Sequence, residues 1–158
     1  MADHYDHLAQ VVLDNLENQH EWTRLQLHDG PSRPRILISG LPTTRLYVHP
    51  DEQIDIIKAE SALGNGQRLP QPPEFEWVLP VHIVERNSVE GFAAVFDYID
   101  ALPPGAEADE LNGGEEGAEW KRWRTTKRRK RLLLAIVDDD STISYYFLHD
   151  GVVKPRQN

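Results

Sequence analysis

Residues 131–151 read RLLLAIVDDDSTISYYFLHDG. Two apolar runs flank three consecutive aspartates, so the stretch folds back on itself as a hairpin with an acidic tip. Successive side chains of a strand point to opposite faces. In the first run Leu132, Leu134 and Ile136 therefore face one way and Leu133, Ala135 and Val137 the other. Both faces are apolar, which places this strand inside a sheet covered on both sides. In the second run Ile143, Tyr145 and Phe147 share one face, and Ser144, Tyr146 and Leu148 share the other. A last strand of this kind belongs at a sheet edge. There it either invites another chain to pair with it or is covered by the domain's own helices.

Immediately upstream lies KRWRTTKRRKR, Lys121 to Arg131, with eight cations in eleven residues and Trp123 among them. Lys121, Arg122, Arg124, Lys127, Arg128, Arg129, Lys130 and Arg131 can neutralise phosphates, and a tryptophan can stack on an unpaired base. The same run also fits a nuclear import signal, or a solvated helix that balances neighbouring acids. Those acids belong to residues 104–118, PGAEADELNGGEEGA. Glycine, small residues and acids cannot bury themselves, so a mobile insertion within the domain is expected there.

Further upstream the elements alternate irregularly. YDHLAQVVLDNLENQHEW sets Tyr5, Leu8, Val12 and Leu16 on one helical stripe. TRLQLH alternates as a strand does, and RILISGLP and TRLYVHP read as two further strands around Gly40 and Pro42. PDEQIDIIKAESALGNG opens with acids and stops at Gly64, as a short helix does. EWVLPVHIV reads as a strand that Pro80 confines to an edge or a bulge. Ser88 can cap a helix over SVEGFAAVFDYIDALPP, whose apolar face is Val89, Phe92, Ala93, Phe96 and Ile99. The order predicts an α+β domain, with a mixed, mostly antiparallel sheet and flanking helices, spanning residues 1–158 as one unit.

Composition narrows the chemistry. The chain of 158 residues has no cysteine, which removes disulfides, thiolate metal sites and thiol nucleophiles together. The net charge of −9 opposes a simple nucleic-acid binder, although the charge is unevenly spread. No basic leader and no stretch of roughly 18 apolar residues is present, so a soluble intracellular protein without a membrane span is expected. His4 and His7 lie one helical turn apart, but a frayed N-terminus is a poor metal cage. No phosphate-cradling glycine loop or nucleophile elbow is found, so neither cofactor nor metal is expected.

The closing hairpin, with PRILISGLPTTRLYVHPDEQI and EWVLPVHIVERNSVEGFAAVFDYI, resembles the small non-catalytic subunit of the tRNA-splicing endonuclease, the Sen subunit fifteen family in its fungal form. The resemblance spans most of the chain outside the acidic insertion. It implies the fold of the C-terminal domain of tRNA-intron endonucleases. It implies a structural subunit of a heterotetramer that cuts introns from precursor tRNA, with a catalytic Sen subunit of the thirty-four type as direct partner. Carried over, Ile143, Tyr145, Tyr146 and Phe147 sit at the subunit interface, and Asp138, Asp139 and Asp140 form a loop that docks on a catalytic subunit of the other half. Read without the resemblance, the same aspartates are an ordinary polar turn. One tyrosine is expected to pack inward and the other to meet the partner, and the chain alone is expected to form a homodimer through this edge. The family works in the nucleus or on the cytosolic face of the mitochondrial outer membrane.

Two other functions stay open at this stage. Catalytic members use a Tyr, a His and a Lys for metal-free attack by the ribose 2′-hydroxyl, which needs a base, an acid and a cation. Lys130 occupies the place of the family's lysine, and His49, with Tyr47 nearby, or His82 would have to supply the imidazole. Neither histidine has the family's surrounding motif. The third possibility is a free-standing RNA-binding adaptor.

Overall fold

The computed structural model describes residues 2–30, 35–85, 89–104, 119–124 and 128–149. The helix α1, Ala2–Asn18, turns its apolar stripe onto the sheet, and Leu8, Val12 and Leu16 are at most 2% exposed. β1 (Thr23–His28), β2 (Leu37–Leu41) and β3 (Glu76–His82) follow as an antiparallel run. β3 then pairs in parallel with β4 (Arg131–Val137), and β4 pairs antiparallel with β5 (Ile143–His149). The spatial order is β1-β2-β3-β4-β5, a mixed, mostly antiparallel sheet as the sequence predicts.

β4 is internal, and its two faces enter two cores. Leu133, Ala135 and Val137 join Val78, Ile38 and Trp22 beneath α1. Leu132 joins Trp77, Leu79 and Val81 beneath α3, Val89–Tyr98, with Leu134 and Ile136 against the same cluster. Val95, Phe96 and Ile99 supply the helical side of that second core. The domain is thus a sheet between α1 and α3. The remaining helix, α2 (Pro50–Leu63), has Pro50 at its start and ends at Gly64, whose φ of 73° suits a residue without Cβ. The expected cap Ser88 and, apart from Pro104, the insertion expected at 104–118 lie outside the described residues.

Two local expectations are corrected. TRLYVHP is not a strand: residues 44–49 have no place in the sheet. Arg45 reaches two buried carboxylates instead, and Tyr47 lies against Phe147 and His149. Pro80, for its part, sits in the central strand, paired with Ala135. The amide nitrogen and carbonyl of one strand residue point to the same side. Pro80 accepts Arg35 Nη2 at 2.8 Å on its carbonyl, from the side on which β2 has already ended at Leu37. The missing N–H therefore costs no ladder bond.

Gly40 marks a close approach. Arg24, at φ 53°, and Leu25 together oppose it across a bulge in β1. A Cβ at Gly40 would lie 2.7 Å from Leu25 Cδ2 and 3.2 Å from the Trp22 ring. Gly40→Ala is expected to lower stability by about 1–3 kcal/mol through overpacking, visible as a lower thermal midpoint. An unchanged midpoint would mean that Leu25 swings aside freely.

Candidate functional site

The basic run does not form one solvated face. Glu119–Arg124 makes a 3-10 turn, in which the Trp123 indole donates to Asp55 Oδ2 at 2.8 Å and Arg124 donates to the Pro72 carbonyl. The Arg128 side chain is 0% exposed; it meets Glu74 at 3.0 Å, the Phe75 carbonyl at 2.7 Å and Glu76 at 3.4 Å. Arg131 grips Glu76 with Nε at 3.0 Å and Nη2 at 2.7 Å. Arg45 completes the group, contacting Glu74 at 2.7 Å and Glu52. Three arginines and three glutamates thus form a buried, formally neutral network at one end of the sheet. Burial alone would push the Arg131 guanidinium down, but Glu76, with Glu74 behind it, holds it above the ordinary arginine value.

Of the other cations, Arg122 and Arg129 are exposed. The Lys130 ammonium donates to the Phe96 carbonyl at 2.8 Å. Lys127, and the side chain of Lys121, lie outside the described residues. Sequence reasoning missed Arg45, Glu52, Glu74 and Glu76. A signal was present in EFEW: glutamates alternating with aromatics at the head of an apolar strand point to one face, and buried carboxylates need cations.

Beside the network is a cavity of about 140 Å³ lined by Tyr47, His49, Trp123, Arg129, Arg131 and His149, among others. His49 caps α2, its Nδ1 accepting the Asp51 amide at 3.0 Å. His149 is held below the usual histidine range, first by burial and then by the charges of Arg131 and His49.

The acidic tip combines a turn with exposed charge. The Asp138 amide donates to the Thr142 carbonyl and the Ser141 amide to the Asp138 carbonyl, both at 2.9 Å. Asp138 Oδ1 accepts the Asp139 amide at 2.6 Å, and Asp140 Oδ1 accepts the Thr142 amide at 3.0 Å. The bonds from Thr142 hold the Asp140 carboxyl below the usual carboxylate range. Asp139 is 79% exposed and touches His82 Nε2 at 3.0 Å. His82 Nδ1 accepts the Val84 amide at 3.2 Å, which leaves the proton on Nε2, facing Asp139.

β5 is an edge strand: among the described residues it pairs with β4 alone. Tyr145 turns inward, donating its hydroxyl to Asn15 Oδ1 at 2.6 Å, and burial pushes its phenol up to about 12. Ile143 and Phe147 lie on the same side, against the core under α1. Tyr146 points the other way and is 59% exposed. Between the end of α1 and β5 runs a groove of about 270 Å³, lined by Leu16, Trp22, Leu46, Leu133 and Phe147, with His20 and Tyr145.

The candidate catalytic groups are not brought together. His82 closes β3 opposite Val137, whereas Lys130 precedes the first residue of β4. The seven-residue strand β4 separates them, on the order of 20 Å at about 3.3 Å per residue. His49 joins the Arg131–His149 side of the sheet, while Lys130 turns to α3 on the other side. Among the described residues no helix is long and apolar enough to cross a membrane, and no three His, Asp or Glu are grouped as metal ligands.

The sequence model of the family described as Sen15 protein matches residues 11–112 and 115–158. A relative in Neurospora crassa, named "Probable tRNA-splicing endonuclease subunit tsp-1", is 59% identical over 155 residues. The match covers 98% of this chain and 67% of the relative.

Proposed function

The chain belongs to the Sen15 protein family, and from that premise we propose that it is a structural, non-catalytic subunit of the tRNA-splicing endonuclease. Its work is to hold catalytic subunits in place for removal of introns from precursor tRNA. The observation that carries the structural half of this reading is the β5 edge. Its outer backbone donors and acceptors lack a sheet partner among the described residues, Tyr146 stands out on one face, and an apolar groove runs along the other. A catalytic subunit of the thirty-four type supplies the matching strand, and other endonuclease subunits complete a heterotetramer. The separation of Lys130 from both His49 and His82 supports the non-catalytic reading, because base, acid and cation must meet at one phosphate.

The acidic tip is preorganised for a second contact. Two of its carboxylates shape the turn, and all three are exposed. A basic pocket on the opposite half of the assembly suits it. Replacing Asp138, Asp139 and Asp140 together with asparagine keeps the turn-forming side chains and removes the charge. The tetramer is then expected to separate into halves at moderate salt, as read by size; an intact tetramer would sink the docking role. Residence in the nucleus or on the cytosolic face of the mitochondrial outer membrane is part of the same proposal, as is RNA contact through the exposed cations Arg122 and Arg129. Co-expression with catalytic subunits decides the subunit reading: the chain should co-purify with them, and the chain alone should leave an intron-containing tRNA intact. Specific cleavage by the chain alone that vanishes in Lys130→Ala would favour the catalytic alternative.

A further inference from the structure

The cavity beside the ion-pair network shares no lining residue with the groove between α1 and β5, and it meets β5 only at the strand's last residue, His149. Its walls are two aromatic pairs. His49 stacks on Trp123 with centroids 4.6 Å apart and 21° between the planes, and Tyr47 meets His149 at 4.7 Å. Arg131 lies over the Tyr47 ring at 5.1 Å, and Arg129 stands exposed beside the cavity. We propose that this cavity binds a phosphodiester group of RNA, with Arg129 and the His49 and His149 imidazoles on the phosphate and Tyr47 and Trp123 against the adjoining ribose or base. The choice of RNA rests on the subunit reading above.

Size limits the ligand first. At about 140 Å³ the cavity is well below the roughly 300–1,000 Å³ of a pocket for a whole small molecule, so it admits one group of a larger chain. Charge then sets its sign. Arg131 and Arg128 are matched by Glu76 and Glu74, and Glu52 is matched by Arg45, so the buried groups nearly cancel. That leaves Arg129 as the formal charge that decides what enters, with the two imidazoles beside it as hydrogen-bonding groups. His49 keeps Nε2–H as a donor, because its Nδ1 already accepts the Asp51 amide. Aromatic faces beside cations are the usual surroundings of a nucleotide in a single strand.

A proton link follows from the surroundings of His149. Burial, Arg131 and His49 all disfavour its charged form. Tyr47, Glu52, Arg128 and Arg129 are the other ionisable groups that line the cavity around it. A phosphate entering there offsets the cationic repulsion, so phosphate and the proton on His149 assist one another.

The test uses the full chain and follows the imidazole resonances of His149 and His49 by NMR across pH. One sample holds a short single-stranded RNA and a second holds inorganic phosphate. RNA is expected to shift both rings and to raise the His149 midpoint, and to bind more tightly as pH falls. Arg129→Gln, an exposed substitution that leaves the fold intact, should lower the salt slope of RNA binding by about 0.7, the share of one phosphate contact on a single strand. Rings that stay unmoved by saturating RNA overturn the site. Rings that respond to phosphate but not to RNA overturn the choice of RNA. Co-purification with catalytic subunits is measured separately. A silent cavity in a chain that assembles therefore sinks this inference alone, and a responsive cavity in a chain that does not assemble sinks the subunit reading alone.

Discussion

Glu76→Ala is expected to lower the unfolding free energy by about 3–5 kcal/mol, the cost of leaving a buried charge without its partner. Glu76 is 0% exposed and receives two bonds from Arg131 and one contact from Arg128, whose own side chains are 7% and 0% exposed. Neither guanidinium can deprotonate to escape, since arginine stays charged at any accessible pH. Glu74 remains, but it already serves Arg45 and Arg128. Removing Glu76 therefore strands one full positive charge on side chains that are at most 7% exposed. Glu76→Gln keeps the shape and one acceptor but leaves the same positive charge unmatched, so its loss should fall below that of Glu76→Ala by only about 1 kcal/mol, the share of the hydrogen bond it retains. Replacing Glu76 and Arg131 together with leucine and methionine should recover much of the loss, because an apolar pair avoids both desolvation costs. Urea unfolding reads all three: the midpoint should fall in the singles and rise again in the double, with the slope unchanged. A midpoint for Glu76→Ala equal to that of the wild type would show that water enters the network and solvates the arginines.

This network also shows where the sequence stopped being legible. The alternation in RLLLAIV depends on neighbours in the chain, so the internal strand and its two cores could be read directly. The partners of Arg128 and Arg131 lie more than fifty residues away, so the run read as cations open to phosphate, to an import receptor or to solvent. Strand register decides that matter, and no local pattern encodes it. Pro80 misled for the same reason: its tolerance depends on β2 being shorter than β3 on that side. TRLYVHP alternates convincingly, yet Arg45 has a stronger claim on it through Glu52 and Glu74 than any sheet edge does. The hairpin tip was read from both sides: the aspartates do form the turn, and they also remain exposed. The alternation fixed that Tyr145 and Tyr146 face opposite ways, but only the position of α1 distinguishes them.

That distinction carries the second large effect. Tyr145 lies on the core under α1, with its hydroxyl on Asn15 and its ring perpendicular to that of His20, centroids 5.4 Å apart. Tyr145→Ala is expected to lower stability by about 2–4 kcal/mol through the cavity it leaves. Tyr145→Phe should cost about 1 kcal/mol, the share of one hydrogen bond. Its phenol, pushed up to about 12, keeps its proton after the unfolded chain begins to lose it near 10. The folded state binds more protons in that window, so this tyrosine's contribution falls as pH rises from about 10 towards 12. Tyr146 has 59% of its surface in water and can lose its ring with a change in stability within about 0.5 kcal/mol. At the centre of a subunit interface the same truncation would cost about 2 kcal/mol or more in association. The two alanine variants should therefore separate cleanly. Tyr145→Ala melts early, and its folded fraction still pairs. Tyr146→Ala melts like the wild type and fails to hold the catalytic subunit during gel filtration. The wild-type chain alone should self-associate at tens of micromolar through the same edge, and Tyr146→Ala should weaken that too. If Tyr146→Ala assembles as tightly as the wild type, the outer face of β5 is not where the subunits meet.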